Sequence, residues 1–498
     1  MKIKSILAKP FANLVVKRIN QWSSKPIEAQ DKTYNKLLQV LAKTSFGKDH
    51  KISGKESYEE FKAKIPIRDY EGLKPYIDEM LEGKANVLWK GKPLYFSKTS
   101  GTTSGVKYIP ITKASMPNHI TNARNALLCY IAETGNAKFA NGKLIFLSGS
   151  PTLQKKNGYN IGRLSGIVNH HIPSYLQKNQ LPSYDINCEE DWEKKVDLIA
   201  DETLNKDMTL IGGIPPWVQM YFDVLMHKTR STNILELFPN FSLFVYGGVN
   251  FAPYKQKLFK SIGKEIDSIE MYPASEGFIA YQNTQKEEGL LLILDQGIFY
   301  EFIKADEFHN DNPKRISLKD VQLDVNYAII LNTNAGLWGY NIGDTVKFVS
   351  LKPYKIVVTG RIKHFISAFG EHVIGEEVEW AMKQACSDFN SSTIEFTVAP
   401  MVNPESGLPY HQWLVEFENA PEDLSAFADK LDLFLQEKNS YYKDLISGSV
   451  LQTLKVRPMK SNSFREYMKS QGKLGGQNKV PRLSNDRKIA DVLEQFKL

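Results

Sequence analysis

Four short apolar runs in the middle of this chain do most to limit how it can fold. KLIFLSGS at 143–150, MTLIGG at 208–213, SLFVYGG at 242–248 and DSIEMY at 267–272 are apolar stretches that end in small or turn residues. Amphipathic segments near 189–205, 216–229 and 253–263 separate them. Strand, helix and strand at this spacing imply βαβ units, with parallel strands covered on both faces. In such sheets ligands bind outside the carboxyl ends of the strands, where the Gly and Ser residues closing these runs fall.

The flanks read differently. The first hundred residues look helical, as in IRDYEGLKPYIDEML at 67–81, and lead into a strand-like Pro93–Ser97. YIPIT at 108–112 and a helical segment to about Thr134 follow. After about residue 288 the runs GLLLILD, GIFYEFIK, NYAIILN, LWGYNIGDTVKFV and YKIVVTG are strand-like with little helix between them, as in an antiparallel or barrel-like unit. Past Thr359-Gly360-Arg361, helices at 375–386 and 421–438 and strands at 393–400 and 411–418 predict a small α+β domain. The expected class is therefore α/β. A large N-terminal domain, 1–362, carries parallel βαβ sheets and a β-barrel-like subdomain at about 288–360. A small α+β C-terminal domain, 363–498, follows it.

With 498 residues, the chain exceeds what one hydrophobic core organises. Its longest apolar run, Ala126–Ala132, has seven residues, against the ~20 that a bilayer span needs, so no integral membrane association is expected. Near the start, Lys9, Pro10, Lys17 and Arg18 interrupt any secretory core. Leu7, Phe11, Leu14 and Val15 recur at helical spacing and suit one face of a surface helix, with a peripheral membrane anchor as the alternative. Three widely spaced cysteines, Cys129, Cys188 and Cys386, fit a reducing cytoplasm, and no Cys/His cluster has zinc spacing. A net charge of +7, spread along the chain, argues against nucleic-acid binding. A monomer is expected.

The stretch 98–107, Lys-Thr-Ser-Gly-Thr-Thr-Ser-Gly-Val-Lys, is the strongest chemical signal. Every residue from Thr99 to Gly105 is Ser, Thr or Gly, and Lys107 closes the loop. Gly101 and Gly105 permit positive φ, so N–H groups and the hydroxyls of Thr99, Ser100, Thr102 and Thr103 can wrap a polyphosphate with Lys107 as counter-charge. The spacing differs from the P-loop pattern, and composition alone also fits an ordinary surface loop. Tyr272-Pro-Ala-Ser275-Glu276 and Tyr340-Asn-Ile-Gly343-Asp344 each place a carboxylate in a turn after a strand, and either could be solvated surface. Arg361-Ile-Lys363 lies at the presumed domain junction, and Gly472–Arg482 is a Gly-rich basic loop.

Taken in order, these segments resemble the adenylate-forming superfamily, and most closely the auxin-responsive-promoter family of acyl acid–amido synthetases. The resemblance covers nearly the whole chain. It implies that Thr99–Lys107 is the phosphate loop, with Ser100 and Lys107 acting on the reacting phosphate. Val245-Tyr-Gly247-Gly248 would line the adenine pocket, Tyr272 pack on the adenine, Ser275 belong to the same ATP-binding motif, and Glu276 reach Mg2+. Asp344 would hold the ribose hydroxyls, Arg361 and Lys363 fall at the hinge, and Lys479 be the mobile lysine of Gln477-Asn-Lys479-Val-Pro-Arg482. Two positions depart from the family pattern. Asn341 stands where plant members usually have Arg, and the loop opens Thr-Ser rather than Ser-Ser.

The implied reaction activates a small carboxylic acid with ATP and Mg2+ as an acyl-AMP, then transfers the acyl group to an amino acid. An acid–thiol ligase using CoA through the same intermediate is the alternative, and a non-catalytic nucleotide-binding protein a second. The residues leave the acid and the acceptor unnamed.

Overall fold

The computed structural model describes the chain except residues 1–2, 101–105, 173–176, 249–250, 309, 311, 363–364, 367–372, 448–449, 475–478 and 485. It divides into two units. The first comprises 1–251, 257–342 and 346–357, and the second 252–256, 343–345 and 358–498.

The four apolar runs form strands Lys143–Phe146, Met208–Gly212, Leu243–Gly247 and Asp267–Ala274, hydrogen-bonded side by side and parallel. Met208–Gly212 is buried along its whole length, which explains a continuous apolar run where a one-sided strand would alternate. The intervening segments are helices Trp192–Thr203, Pro215–Thr229 and Ala252–Ile262. From Asp267–Ala274 the same twelve-stranded sheet continues through antiparallel partners, Gly277–Tyr281, Leu290–Leu292 and Tyr354–Arg361. The strands after residue 288 thus extend the parallel sheet.

A second sheet orders Val106–Ile111, Tyr95–Ser100, Tyr159–Gly162 and Gln154–Lys156. Its first two strands are an antiparallel hairpin with Thr99 opposite Lys107. The N-terminal helix, Ile3–Ser23, buries Ala12, Val15 and Ile19 and leaves Phe11 and Leu14 about half exposed, at 45% and 48%. The expected stripe is therefore rotated: a small alanine, easily overlooked beside larger apolar residues, lies on the buried face. Among the described residues, no helix is long and apolar enough to cross a membrane.

In the second unit, strands Ser392–Met401 and Tyr410–Asn419 are antiparallel, and Lys455–Pro458 runs parallel to the latter. Helices Gly375–Asp388 and Leu424–Lys438 close over a core that includes Phe396, Trp413, Phe427 and Leu431. This is the smaller α+β unit.

Candidate active site

The candidate residues fall into two groups, one in each unit. In the first, the hairpin carries Thr99 and Lys107 at the base of the Ser/Thr/Gly loop. Gly101, Thr102, Thr103 and Gly105 lie outside the described residues, as does the side chain of Ser100. Tyr70 braces this base. Its hydroxyl accepts from the Tyr108 N–H at 3.0 Å, and the Lys107 ammonium stands 5.8 Å from its ring centre.

Strand Leu243–Gly247 ends at the pair Gly247-Gly248. A Cβ at Gly247 would lie 2.3 Å from the Met271 carbonyl oxygen, so only glycine admits this approach of neighbouring strands. Gly248 turns away with φ +81°. On the adjacent strand Tyr272 is buried, and Ser275 and Glu276 form the turn into Gly277–Tyr281.

Three contacts seat that turn. The buried hydroxyls of Ser275 and Ser97 are 2.9 Å apart, tying the turn to the strand that enters the Ser/Thr/Gly loop. The hydroxyl of Tyr340 donates to Glu276 Oε1 at 3.4 Å, and burial, then the carboxylate, pushes this phenol's pKa well up, so it remains a neutral donor. Asn118 grips the backbone beyond the turn. Its Oδ1 accepts from Phe278 N–H at 2.6 Å, and its Nδ2 donates to the Phe278 carbonyl at 3.2 Å. Asn118 belongs to helix Met116–Thr134, which follows directly on the hairpin. Sequence reasoning missed Ser97 and Asn118. The one available signal for Asn118 was a run of polar residues on a helix that proves buried: Asn118, His119, Asn122 and Asn125.

In the second unit, Arg361 Nε and Asp344 Oδ1 are 2.8 Å apart. Asp344 lies within strand Tyr340–Leu351 and not in a turn after a strand, because Gly343, with φ +87°, continues the strand, and the Ile362 N–H donates to the Gly343 carbonyl at 2.6 Å. Lys479, more than a hundred residues further along, interacts electrostatically with Asp344, Arg361 and Glu379. Protein packed around its ammonium pushes the pKa down to about 8; the two carboxylates oppose that shift and Arg361 adds to it. The residue remains solvent-exposed, so water moderates each of these influences. Asp344, Arg361 and Lys479, three separate sequence candidates, therefore share one cluster, and Glu379 joins them unannounced by any motif. Lys363, Gln477 and Asn478 lie outside the described residues. Asn341, at the position of the family's usual Arg, is buried, and its N–H donates to the Arg68 carbonyl at 2.7 Å.

Strand ends with glycine pairs, a turn-borne carboxylate and an Asp–Arg–Lys cluster are laid out on the fold of adenylate-forming enzymes. The chain matches 2-hydroxyisobutyryl-CoA ligase, in the postadenylation state with 2-HIB-AMP, at a TM-score of 0.56 and 11% identity, over 98% of this chain and 91% of that one. The match to GH3.15 acyl acid amido synthetase reaches a TM-score of 0.80 at 16% identity, over 97% and 96% of the two chains. Models of the GH3 family N-terminal, central and C-terminal domains match residues 15–189, 291–361 and 376–488. The chain belongs to the GH3 family and is an enzyme of the ligase class.

Among its curated relatives, jasmonoyl-L-amino acid synthetase GH3.5 of Oryza sativa subsp. japonica is 21% identical, over 94% of each chain. Jasmonoyl-L-amino acid synthetase JAR4 of Nicotiana attenuata is 24% identical, over 64% of this chain and 66% of its own length. Indole-3-acetic acid-amido synthetase GH3.3 of Arabidopsis thaliana is 21% identical, over 93% and 90%.

Proposed function

We propose that this ligase is an ATP-dependent acyl acid–amido synthetase. A carboxylate resists nucleophiles because its charge repels them and oxide is a poor leaving group. In the first half-reaction one carboxylate oxygen attacks the α-phosphorus of ATP, the O–P bond of an acyl-AMP forms, and the bond to the β-phosphate breaks to release pyrophosphate. In the second, the uncharged amine of an amino acid attacks the acyl carbon. The C–O bond to AMP then breaks, AMP leaves, and the surplus amine proton passes to solvent. Little covalent chemistry falls to the protein, so catalysis rests on positioning and electrostatic stabilisation.

The residues divide that work. Donors of Thr99–Gly105, Ser100 among them, and the charge of Lys107 hold the phosphates. Gly247, Gly248 and Tyr272 frame the adenine, and Ser275 holds the adjoining turn against Ser97. Asp344, oriented by Arg361, takes the ribose hydroxyls. Glu276 would hold Mg2+, whose charge offsets that of the phosphates. A single oxygen ligand suits an ion carried largely by phosphate and water, and among the described residues no group of three or more His, Cys, Asp and Glu could form a metal cage. Lys479 approaches the reacting carboxylate and α-phosphate, and the 361–367 segment serves as the hinge of a mobile C-terminal domain.

The observation that carries this reading is the clustering of Asp344, Arg361 and Lys479, since a ribose ligand and an adenylation lysine belong together only around a nucleotide. The test is a panel of carboxylic acids, beginning with jasmonic and indole-3-acetic acids, against amino acids with ATP, products read by mass spectrometry. Acid-dependent pyrophosphate release and an amide product are expected. The fold shared with 2-hydroxyisobutyryl-CoA ligase favours a second reading, an acid–thiol ligase, and a thioester formed only with CoA would establish it instead.

Loss of Asp344 bears first on nucleotide binding. Hydrogen bonds to a charged group are worth about 1.5–3 kcal/mol, so Asp344→Ala is expected to raise the KM for ATP roughly 10- to 100-fold. Wild-type enzyme should discriminate against 2′-deoxy-ATP, and equal use of the two nucleotides would remove this role.

A further inference from the structure

Arg482 follows Lys479 by three residues, and its guanidinium is engaged on all three nitrogens. Nε donates to Glu379 Oε1 at 3.1 Å, and Nη1 to Glu395 and to the Phe396 carbonyl, the latter at 3.2 Å. Nη2 donates to the Tyr254 hydroxyl at 2.6 Å, and that hydroxyl donates to Glu395 Oε2 at 3.1 Å. The guanidinium carbon also lies 4.6 Å from the Phe396 ring centre. All these residues belong to the second unit.

The backbone around Arg482 is pinned too. Val398 N–H donates to the Arg482 carbonyl and Ser484 N–H to the Val398 carbonyl, both at 2.9 Å, and Thr397 Oγ1 donates to the Pro481 carbonyl at 2.7 Å. Residues 481–484 thus run beside Ser392–Met401, with a single bridge between Leu483 and Val398, and Lys479 lies two residues before this anchor. Glu379 binds Arg482 directly and also acts electrostatically on Lys479, so the two cations share its charge.

We infer that Arg482 is a positioning residue for Lys479: its fork fixes the end of the lysine's loop and holds Glu379 back from pairing with the lysine. This rests on Lys479 being the adenylation lysine. A planar, five-donor fork meets two carboxylates, a carbonyl and a phenol at once, which a point-charge ammonium cannot do. The groups that face Lys479 are Asp344 and Arg361 from their strands and Glu379 from helix Gly375–Asp388. Removing Arg482 takes the guanidinium away from Glu379, and Lys479 can then compete for that carboxylate. The ammonium then gains a partner, titrates at higher pH and leaves its working place.

The test reads Lys479 itself in the full chain. Competitive acetylation with acetic anhydride across pH 6–10, quantified by mass spectrometry, gives the midpoint of its titration without any acid substrate. The wild-type midpoint is expected near 8. Arg482→Ala and Arg482→Lys should move it upward, and Glu379→Gln, which removes an opposing charge, should move it downward. With whichever acid the panel identifies, Arg482→Ala should slow acyl-AMP formation by about 10²-fold, the scale of an ångström-level misplacement, and leave aminolysis of supplied acyl-AMP little changed. An unmoved midpoint in both Arg482 variants overturns the inference. Equal loss in both half-reactions with a lowered Tm also overturns it, since that is a merely structural residue. If the panel yields no substrate the labelling still decides on Arg482, so failure of the functional reading is distinguishable from failure of this one.

Discussion

Lys479→Ala is expected to slow acyl-AMP formation by about 10²–10³-fold, the loss that follows removal of one well-placed stabilising donor, while aminolysis of a supplied acyl-AMP falls only a few-fold. Phosphoryl transfer at the α-phosphorus occurs in the first half-reaction, whereas the second is attack on the acyl carbon, so a lysine serving the phosphoryl transfer is needed chiefly in the first. Its protonated form does the work. Because packing around the ammonium holds its pKa near 8, adenylation should be flat below that pH and decline as pH rises through it, well before an ordinary lysine at 10.5 would titrate. Bound nucleotide adds negative charge beside the lysine and will move the alkaline limb upward at saturating ATP. The limb is therefore read most directly in kcat/KM for ATP, which reports the free enzyme. Pyrophosphate exchange across pH 6–10, beside AMP release from supplied acyl-AMP, measures both effects. Equal loss in the two half-reactions would return Lys479 to a structural role.

Lys107→Ala should lower pyrophosphate exchange by a similar ~10²–10³-fold, with the fold intact. Lys107 pairs across the hairpin with Thr99, so its charge enters at the root of the Ser/Thr/Gly loop, where, on the proposed function, it would neutralise a polyphosphate. Its contact with Tyr70, at 5.8 Å, is of the exposed cation–π kind and is worth about 0.5–1 kcal/mol, so Tm should shift little. A lysine that only braced the hairpin would behave in reverse: Tm would fall and exchange would stand. Lys107→Arg adds a second reading. It keeps the charge and the aromatic contact but changes the donor geometry, so it should recover stability fully and exchange only in part.

Much of this molecule could be read in advance, for a definite reason. The strand Met208–Gly212 is buried from end to end, and a strand covered on both faces has no solvent side to interrupt its apolar run. Strands and helices of this kind carry their environment in their composition. By contrast, Gln154–Lys156 is fully exposed and is a strand only because Tyr159–Gly162 pairs with it. Nothing in Gln-Lys-Lys specifies that partner. The N-terminal helix was legible as a helix but its buried face was not, because burial is set by what the helix packs against.

The site divides along the same line. Motif chemistry is local: a hydroxyl-rich loop ending in lysine, a glycine pair after a strand and a carboxylate in a turn are each written within ten residues. The order of these motifs along the chain was enough to indicate the GH3 family. The supports of the site are distant. Asn118 and Phe278 are 160 residues apart, and Tyr254 and Arg482 are 228 apart. Short-range patterning cannot encode such pairs, since a hydrogen bond depends on distances of about 3 Å that only the closed fold establishes. The sequence alone thus determined which groups are available and the kind of chemistry they suit. Tertiary structure decided which of them meet: Arg361 with Asp344, Lys479 within the influence of both, and Arg482 with the Glu379 that also acts on the lysine.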